Sequence, residues 1–213
     1  LTPFVSSSAR DLKPPTAYTG RDRYINWIRD YLGIEPSDAQ KEVIYAIQDN
    51  QRVQVVGGNG FGKSFILACF SMAFLYTNFP ATVLATSGTY GKLKRTYCNP
   101  IEDMHSDNED VLPGEFLQSP PRIVFRDYPE VYLQAAAPQD SGELEGVHNE
   151  YLLAVIEEAD KKRIDKDTFD SVESLLTDGN DKMVSVCNPP KDEANIVYDI
   201  MEADGWEVLQ YSS

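Results

Sequence analysis

A glycine-rich stretch in the first third of the chain has the residue types needed to hold phosphate groups. It fits the pattern G-x-x-x-x-G-K-[ST] at every fixed position and reads Gly57-Gly58-Asn59-Gly60-Phe61-Gly62-Lys63-Ser64. Glycines let the backbone curl so that successive N–H groups face phosphate oxygens, and a helix beginning at Lys63 adds its partial positive charge. Lys63 can reach the β- and γ-phosphates of ATP, and the Ser64 hydroxyl can ligate Mg²⁺. The stretch therefore predicts a Walker A loop that binds nucleotide through all eight residues.

Two adjacent carboxylates follow an apolar run of strand length, 151–156. Charged groups at the end of a buried strand cost free energy unless a metal or a bound partner compensates them. Together with a Walker A loop, the pair predicts a Walker B motif, in which Glu157 holds Mg²⁺ through its water shell. Glu158 is predicted to orient or deprotonate the water that attacks the γ-phosphate. The alternative is a charge pair on the surface, at the point where the strand ends.

Weaker signals surround these two motifs. Gln40 lies upstream of the loop and could read the adenine edge, because an amide both donates and accepts; the alternative is a solvent-facing helix residue. Ser185 and Asn188 lie at the end of another apolar run, where ligands of parallel sheets bind, so either could sense the γ-phosphate. The alternative for them is a simple Asn-Pro turn. Basic residues at 92–95 and 161–166 could contact DNA phosphates or a neighbouring subunit's nucleotide, but ordinary surface explains any one of them better.

The elements that must position these residues alternate between strands and helices, which predicts an α/β fold with a parallel sheet. Period and composition predict helices at 21–32, 38–48, 63–76, 90–104 with a break at Pro100, 168–176 and 195–203. Strands are predicted at 52–56, 81–86, 151–156, 182–187 and 206–211, with a hairpin of 122–125 and 131–136. Segments 106–121 and 138–149 are predicted loops, and residues 1–20 an arm rich in Ser, Pro and Thr.

Composition limits the class of partner. The chain has 213 residues, 19 basic and 34 acidic side chains, a net charge of −15 and a pI near 4.4. This argues against a surface that simply coats nucleic acid, leaves room for a basic stripe on an acidic body, and weakly indicates a halophilic source. The three cysteines are far apart, which predicts reduced thiols and neither a zinc site nor a disulfide framework.

The sequence also bears on location. No apolar run approaches the length of a membrane span, and no signal peptide is predicted. The chain starts at Leu1, without Met, and finishes just after a strand-like run. Both ends predict that it is a piece of something longer.

The order of these parts resembles the ATPase domain of terminase large subunits, the motors that push viral DNA into procapsids. The resemblance covers roughly residues 25–211. It rests on Gln40, the 57–64 loop, a strand ending Ala85-Thr86-Ser87, Glu145-Gly146 ahead of Glu157-Glu158-Ala159, and a strand ending Asn188-Pro189.

The resemblance implies a P-loop NTPase fold of the ASCE, RecA-like type, with a mainly parallel central sheet flanked by helices. It implies ATP and Mg²⁺ as cofactors and ATP hydrolysis that drives packaging of double-stranded DNA. Its partners would be that DNA, the portal protein, the small terminase subunit and copies of itself in a ring, taken to be a pentamer, with a monomer in isolation and no membrane. The location would be the host cytoplasm and, transiently, the portal vertex. Residues 1–24 are then an arm and 25–213 the ATPase domain, while the nuclease domain expected in the full protein lies outside this sequence.

Three departures from the family pattern concern the chemistry. Glu157 stands where the family usually has Asp, Asn59 where many relatives have Arg, and Glu145 where some have Arg. The arginine that stabilises the transition state is therefore unassigned. The candidates, without ranking, are Arg95, Arg126 and Arg163.

Two other functions compete with DNA packaging. A helicase-like or DNA-remodelling ATPase would use the same motifs, but would carry a second RecA-like domain with its own arginine finger. A non-catalytic nucleotide-binding module is the third possibility. The presence of Lys63, Ser64 and Glu158 argues against that module, because each has a role in hydrolysis rather than in binding alone.

Overall fold

The computed structural model describes residues 12–58, 60–136 and 149–211. Within these residues, eight strands form one sheet in the order β3-β4-β5-β2-β6-β7-β1-β8. In chain order they are β1 (Arg52–Gly57), β2 (Ala81–Ser87), β3 (Glu115–Gln118), β4 (Pro121–Val124), β5 (Tyr132–Ala135), β6 (Tyr151–Glu157), β7 (Lys182–Cys187) and β8 (Glu207–Tyr211). All neighbours from β5 to β8 pair in parallel, and β3, β4 and β5 pair antiparallel at one edge. The predicted fold class, a mainly parallel α/β sheet, is confirmed.

Helices cover both faces of this sheet. They are α1 (Arg23–Leu32), α2 (Asp38–Asp49), α3 (Lys63–Thr77), α4 (Tyr90–Leu93), α5 (Asn99–Ser106), α6 (Lys166–Glu173) and α7 (Ile196–Glu202), with a π-helical turn, Lys94–Cys98, joining α4 to α5. None of the helices in the described segments is long and apolar enough to cross a lipid bilayer.

Side-chain alternation along the strands divides the core into two layers. Val53, Val55 and Val155 belong to the large cluster that contains α3, which is buried along its length from Ile66 to Thr77. Residues of the opposite parity, such as Ile156, belong to a second cluster with residues of α6 and α7. A helix that is apolar all round must be covered on all sides, so α3 lies at the centre of the domain.

Two predictions about the middle of the chain need correction. The segment 106–121 is not all loop, because it contains β3. This strand has four residues, is exposed at both ends and has no period-two pattern, so only its pairing with β4 defines it. The helix predicted at 90–104 does not break at Pro100. Its irregular part is the π-helical turn just before, and Pro100 lies in the first turn of α5, where a missing N–H is tolerated.

The described part of the predicted arm packs against the domain. Tyr18 is buried and donates to Asp30 Oδ2 at 2.7 Å, and Tyr31 donates to the Lys13 carbonyl at 2.7 Å. A short 3₁₀ turn, Pro15–Ala17, lies between these contacts. Residues 13–18 are therefore attached to α1, whereas the boundary drawn at residue 24 stays a prediction.

Candidate nucleotide site

The predicted site residues converge at the carboxyl ends of the parallel strands. A cleft of about 390 Å³ opens there. It is lined by Gly60, Gly62, Lys63, Ser64, Phe65, Lys92, Thr96, Glu157, Glu158, Asp160, Val186, Cys187 and Asn188. Ligands of open parallel sheets bind outside the carboxyl ends of the strands, so this cleft is the expected position for one.

The glycine-rich loop connects β1 to α3 as predicted. Gly60 and Gly62 have φ values of +95° and +78°, which residues with a Cβ rarely adopt. Lys63 folds back into the loop and donates from Nζ to the Gly57 and Gly58 carbonyls at 2.6 and 2.9 Å. Burial is the main cause that lowers the pKa of Lys63. The loop therefore curls around a cation, Lys63, at the amino end of α3; Asn59 lies outside the described residues.

Ser64 and Glu157 meet across the cleft. Ser64 donates from Oγ to Glu157 Oε2 at 2.8 Å, although 93 residues separate them. Glu157 is 3% exposed, and its other oxygen has no hydrogen-bond partner among the described residues. A hydroxyl beside a buried carboxylate oxygen without a partner suits a hard cation such as Mg²⁺. The described residues hold no cluster of three or more metal-ligating side chains, so Mg²⁺ here would rest on Ser64, Glu157 and nucleotide phosphates.

Glu158 differs from its neighbour in backbone and in partners. Its φ is +54°, and among the described residues it is the only non-glycine with a positive φ. Such a conformation is strained and is held by the surroundings. Thr89 donates from Oγ1 to Glu158 Oε2 at 2.6 Å, and Lys92 forms an ion pair with Oε1. Neither partner is among the residues that the sequence motifs predict for the site; Lys92 belongs to the basic cluster at 92–95.

The two carboxylates have pKa values shifted in opposite directions. Burial raises the pKa of Glu157 to about 7. Burial acts in the same sense on Glu158, but the hydrogen bonds from Lys92 and Thr89 outweigh it and lower the pKa of that carboxyl. Paired carboxylates with separated pKa values are typical of sites that divide two roles between them.

Removing the charge of Glu157 is expected to stabilise the protein at alkaline pH. Burial raises the pKa of Glu157 from 4.5 to about 7, so the folded state holds this proton more tightly than the unfolded chain does. Ionisation of Glu157 therefore does not lower the free energy of unfolding below pH 4.5. It lowers that free energy progressively as the pH rises from 4.5 through 7. In metal-free buffer, Glu157→Gln should gain about 3 kcal/mol more at high pH than at low pH.

Urea unfolding in a chelator, at both ends of this pH range, measures that difference. Glu173→Gln, a half-buried glutamate of α6 paired with Arg52, serves as the control. If Glu157→Gln changes the free energy of unfolding equally at both pH values, ionisation of Glu157 does not destabilise the folded protein.

Of the weaker candidates, Gln40 and Asn188 reach the loop and Ser185 does not. Gln40 closes a capping box with Ser37, and its Nε2 lies 3.5 Å from the Phe61 carbonyl. Asn188 accepts from Lys63 at 3.3 Å through Oδ1. Ser185 is fully buried and pairs with Ile156, so its side chain faces the side of the sheet opposite Glu157. The prediction that Ser185 could sense the γ-phosphate therefore has no geometric support.

The candidate arginines differ in position. Arg126 follows β4, whose end pairs with Tyr132, and Tyr132 pairs with Thr82 at the start of β2. The cleft lies at the other end of β2, about 15 Å of strand away, so Arg126 cannot reach the site of its own subunit. Arg95, in the π-helical turn, and Arg163, in the connection after β6, are both exposed and stay candidates.

The sheet order, the loop and the acidic pair together define a P-loop ATPase fold. No protein-family model and no curated protein sequence matches the chain. Solved structures do match: the large terminase ATPase domain of Thermus phage P74-26 has a TM-score of 0.66 at 14% identity, covering 86% of this chain and 83% of that one.

A second match is the large terminase from a thermophilic bacteriophage in complex with ADP, with a TM-score of 0.60 at 14% identity. The match covers 82% of this chain and 44% of that one, so the chain spans less than half of that second phage protein. S. cerevisiae dbp5, in a complex that contains ADP, matches with a TM-score of 0.60 at 11% identity, over 90% of this chain and 52% of that one. At these identities the likeness shows the fold alone, which terminase ATPase domains and dbp5 share with this chain.

Proposed function

We propose that this chain hydrolyses ATP and is the motor domain of a viral DNA-packaging terminase. The observation that carries the proposal is the meeting of Lys63, Ser64, Glu157 and Glu158 in one cleft. They come from two segments of the chain, and their arrangement has a glycine loop on one side and a carboxylate pair on the other. The fold shared with the Thermus phage ATPase domain supports the choice of motor.

Each residue has a distinct part in the proposed reaction. Lys63 and the backbone N–H groups of the loop bind the β- and γ-phosphates. Ser64 and Glu157 would hold Mg²⁺, which would neutralise negative charge on the phosphates. Glu158 orients the attacking water and accepts its proton, since its carboxylate is ionised at neutral pH.

We place the nucleotide base beside Phe61 and Tyr211. Their rings stack with centroids 4.4 Å apart, and Gln40 contacts the same loop residue. The Gln40 oxygen already accepts from the Ser37 N–H at 3.0 Å, so reading adenine would use the amide nitrogen or require the capping box to open.

The proposed partners follow from the packaging role. They are double-stranded DNA, the portal protein, the small terminase subunit and other copies of the chain in a ring at the portal vertex. With a net charge of −15, isolated copies repel one another within the Debye length of about 10 Å at 0.1 M salt, which favours a monomer in dilute solution. The full protein would add a nuclease domain to residues 25–213.

ATPase activity with and without double-stranded DNA and empty procapsids tests this function. We expect slow hydrolysis by the chain alone, and stimulation when DNA and procapsids are both present. An arginine finger supplied by a neighbour is worth about 10³–10⁵ in rate, so activity per molecule should also rise with protein concentration. High, flat activity across a dilution series would show that the finger acts in cis, and Arg95→Ala and Arg163→Ala would then identify it.

A helicase-like ATPase is the second candidate, because it would use the same loop and acidic pair, and the likeness to dbp5 shows that the fold is not restricted to terminases. It predicts stimulation by nucleic acid without any effect of procapsids. Strand separation by the full protein, together with indifference to procapsids, would decide for this alternative.

A further inference from the structure

The carboxylate proposed to activate water is already engaged in this structure. Lys92 pairs with Glu158 Oε1, and Thr89 donates to Oε2 at 2.6 Å. The carboxylate is almost enclosed, with 8% of its side chain exposed. A carboxylate whose charge is balanced by an ammonium is a weaker base, so this pair must loosen before Glu158 can take a proton from water.

The segment that carries these donors is held firmly against the site. Gly88 follows β2, and a Cβ at this position would lie 2.6 Å from Lys161 Cβ. Lys161 in turn donates its N–H to the Glu158 carbonyl at 3.0 Å. This close approach fixes the backbone of Thr89 and α4 relative to Glu158. The long side chain of Lys92 is then the part of the contact that can move.

Lys92 also lines the cleft that contains Lys63 and Ser64. Its side chain is 38% exposed, in contrast to that of Glu158, so its ammonium can turn towards the cleft without unfolding anything. The next cations along the segment, Lys94 and Arg95, are exposed and do not line the cleft. A terminal phosphate carries more negative charge than a carboxylate and attracts an ammonium more strongly.

We propose that Lys92 exchanges its ion pair with Glu158 for the terminal phosphate of a bound nucleoside triphosphate. Without triphosphate, Lys92 neutralises Glu158. With triphosphate, the ammonium moves to the terminal phosphate and leaves Glu158 free to accept a proton. The inference rests on the proposed ATPase function, and it explains why the proposed catalytic base carries a cation that the sequence motifs do not require.

Nucleotide titrations of the chain in Mg²⁺ buffer test this proposal, with ADP and the non-hydrolysable analogue AMP-PNP as probes. Lys92→Met keeps an unbranched side chain only one atom shorter and removes the charge. This variant should bind AMP-PNP about tenfold more weakly or worse, which is the factor for one lost hydrogen bond to a charged group. Its affinity for ADP should stay within about twofold of the wild type. Lys92→Arg should restore most of the preference for triphosphate. Lys94→Met, an exposed lysine two positions along the segment, is the matched control and should change neither affinity.

The exchange also makes a prediction about Glu158. In Glu158→Gln, Lys92 has no ion pair to break, so AMP-PNP should bind at least as tightly as to the wild type. Adding Lys92→Met to Glu158→Gln should weaken AMP-PNP binding again. The double variant has no unpaired buried charge. If Lys92→Met alone does not fold, the comparison of this double variant with Glu158→Gln still tests the proposal.

Equal losses for ADP and AMP-PNP in Lys92→Met, or no loss for either, would overturn the proposal. The ATPase function would then still stand, because Lys63 supports it independently. If the wild-type chain binds neither ADP nor AMP-PNP, both the Lys92 exchange and the proposed ATPase function are overturned.

Discussion

Replacing Lys63 by alanine is expected to abolish ATP hydrolysis and to weaken nucleotide binding. Lys63 is the cation inside the glycine loop, bonded to the Gly57 and Gly58 carbonyls and to Asn188. No other lysine lies within the loop, and the proposed exchange brings Lys92 to the terminal phosphate alone, so no group can take the place of Lys63 between the β- and γ-phosphates. Removal of one donor that stabilises transition-state charge costs about 10²–10³ in rate, and the loss here should be at least that large.

Lys182→Ala is the matched control for this change. Lys182 is also half-buried and donates to two backbone carbonyls, those of Gln48 and Asn50, both at 3.1 Å, but it lies away from the cleft. Steady-state turnover and ADP titration should separate the two variants, since only Lys63→Ala loses both. Turnover by Lys63→Ala equal to that of the wild type would reject the assignment of the loop.

Glu158→Gln is expected to abolish turnover while nucleotide affinity is kept. The amide fills the same space and can still accept from Thr89, but it cannot take a proton from water. General base catalysis contributes about 10²–10⁴ in rate, which sets the expected loss. A nucleotide titration beside a steady-state assay on one preparation measures both quantities.

The neighbouring variant, Glu157→Gln, is the informative comparison. It should weaken the binding of Mg²⁺-nucleotide, because Glu157 faces Ser64 and not the Lys92 pair. If affinity collapses in Glu158→Gln and survives in Glu157→Gln, the roles of the two carboxylates are exchanged. Either outcome identifies which one holds the metal.

Much of the site is determined locally and was predictable from the sequence. The glycine loop is eight consecutive residues, and its conformation depends on positive φ at Gly60 and Gly62 rather than on distant contacts. The strand before it and the apolar helix after it were predicted within a residue or so of their observed bounds. Mostly apolar runs likewise predicted β6 and β7, because strands buried on both faces have few polar positions.

Tertiary structure decided which predicted residues meet. Strand order brings Ser87 of β2 beside Glu157 of β6, and this adjacency delivers Thr89 and Lys92 to Glu158. Nothing in a run of basic residues shows which one will face a carboxylate 66 positions away. The same long-range pairing places Arg126 at the opposite end of the strands from the cleft.

Strand register decided the remaining difference. Side chains alternate between the two faces of a sheet, so a shift of one residue separates those that can reach the ligand from those that cannot. Ser185 pairs with Ile156, and its side chain is buried on one face of the sheet. The side chain of Glu157 lies on the other face, where it contacts Ser64. The sequence by itself determined the phosphate loop, the acidic pair and the alternation of strands and helices, because these depend on neighbouring residues. Which side chains share the cleft depended on pairing between strands far apart in the chain, and that was decided only when the sheet assembled.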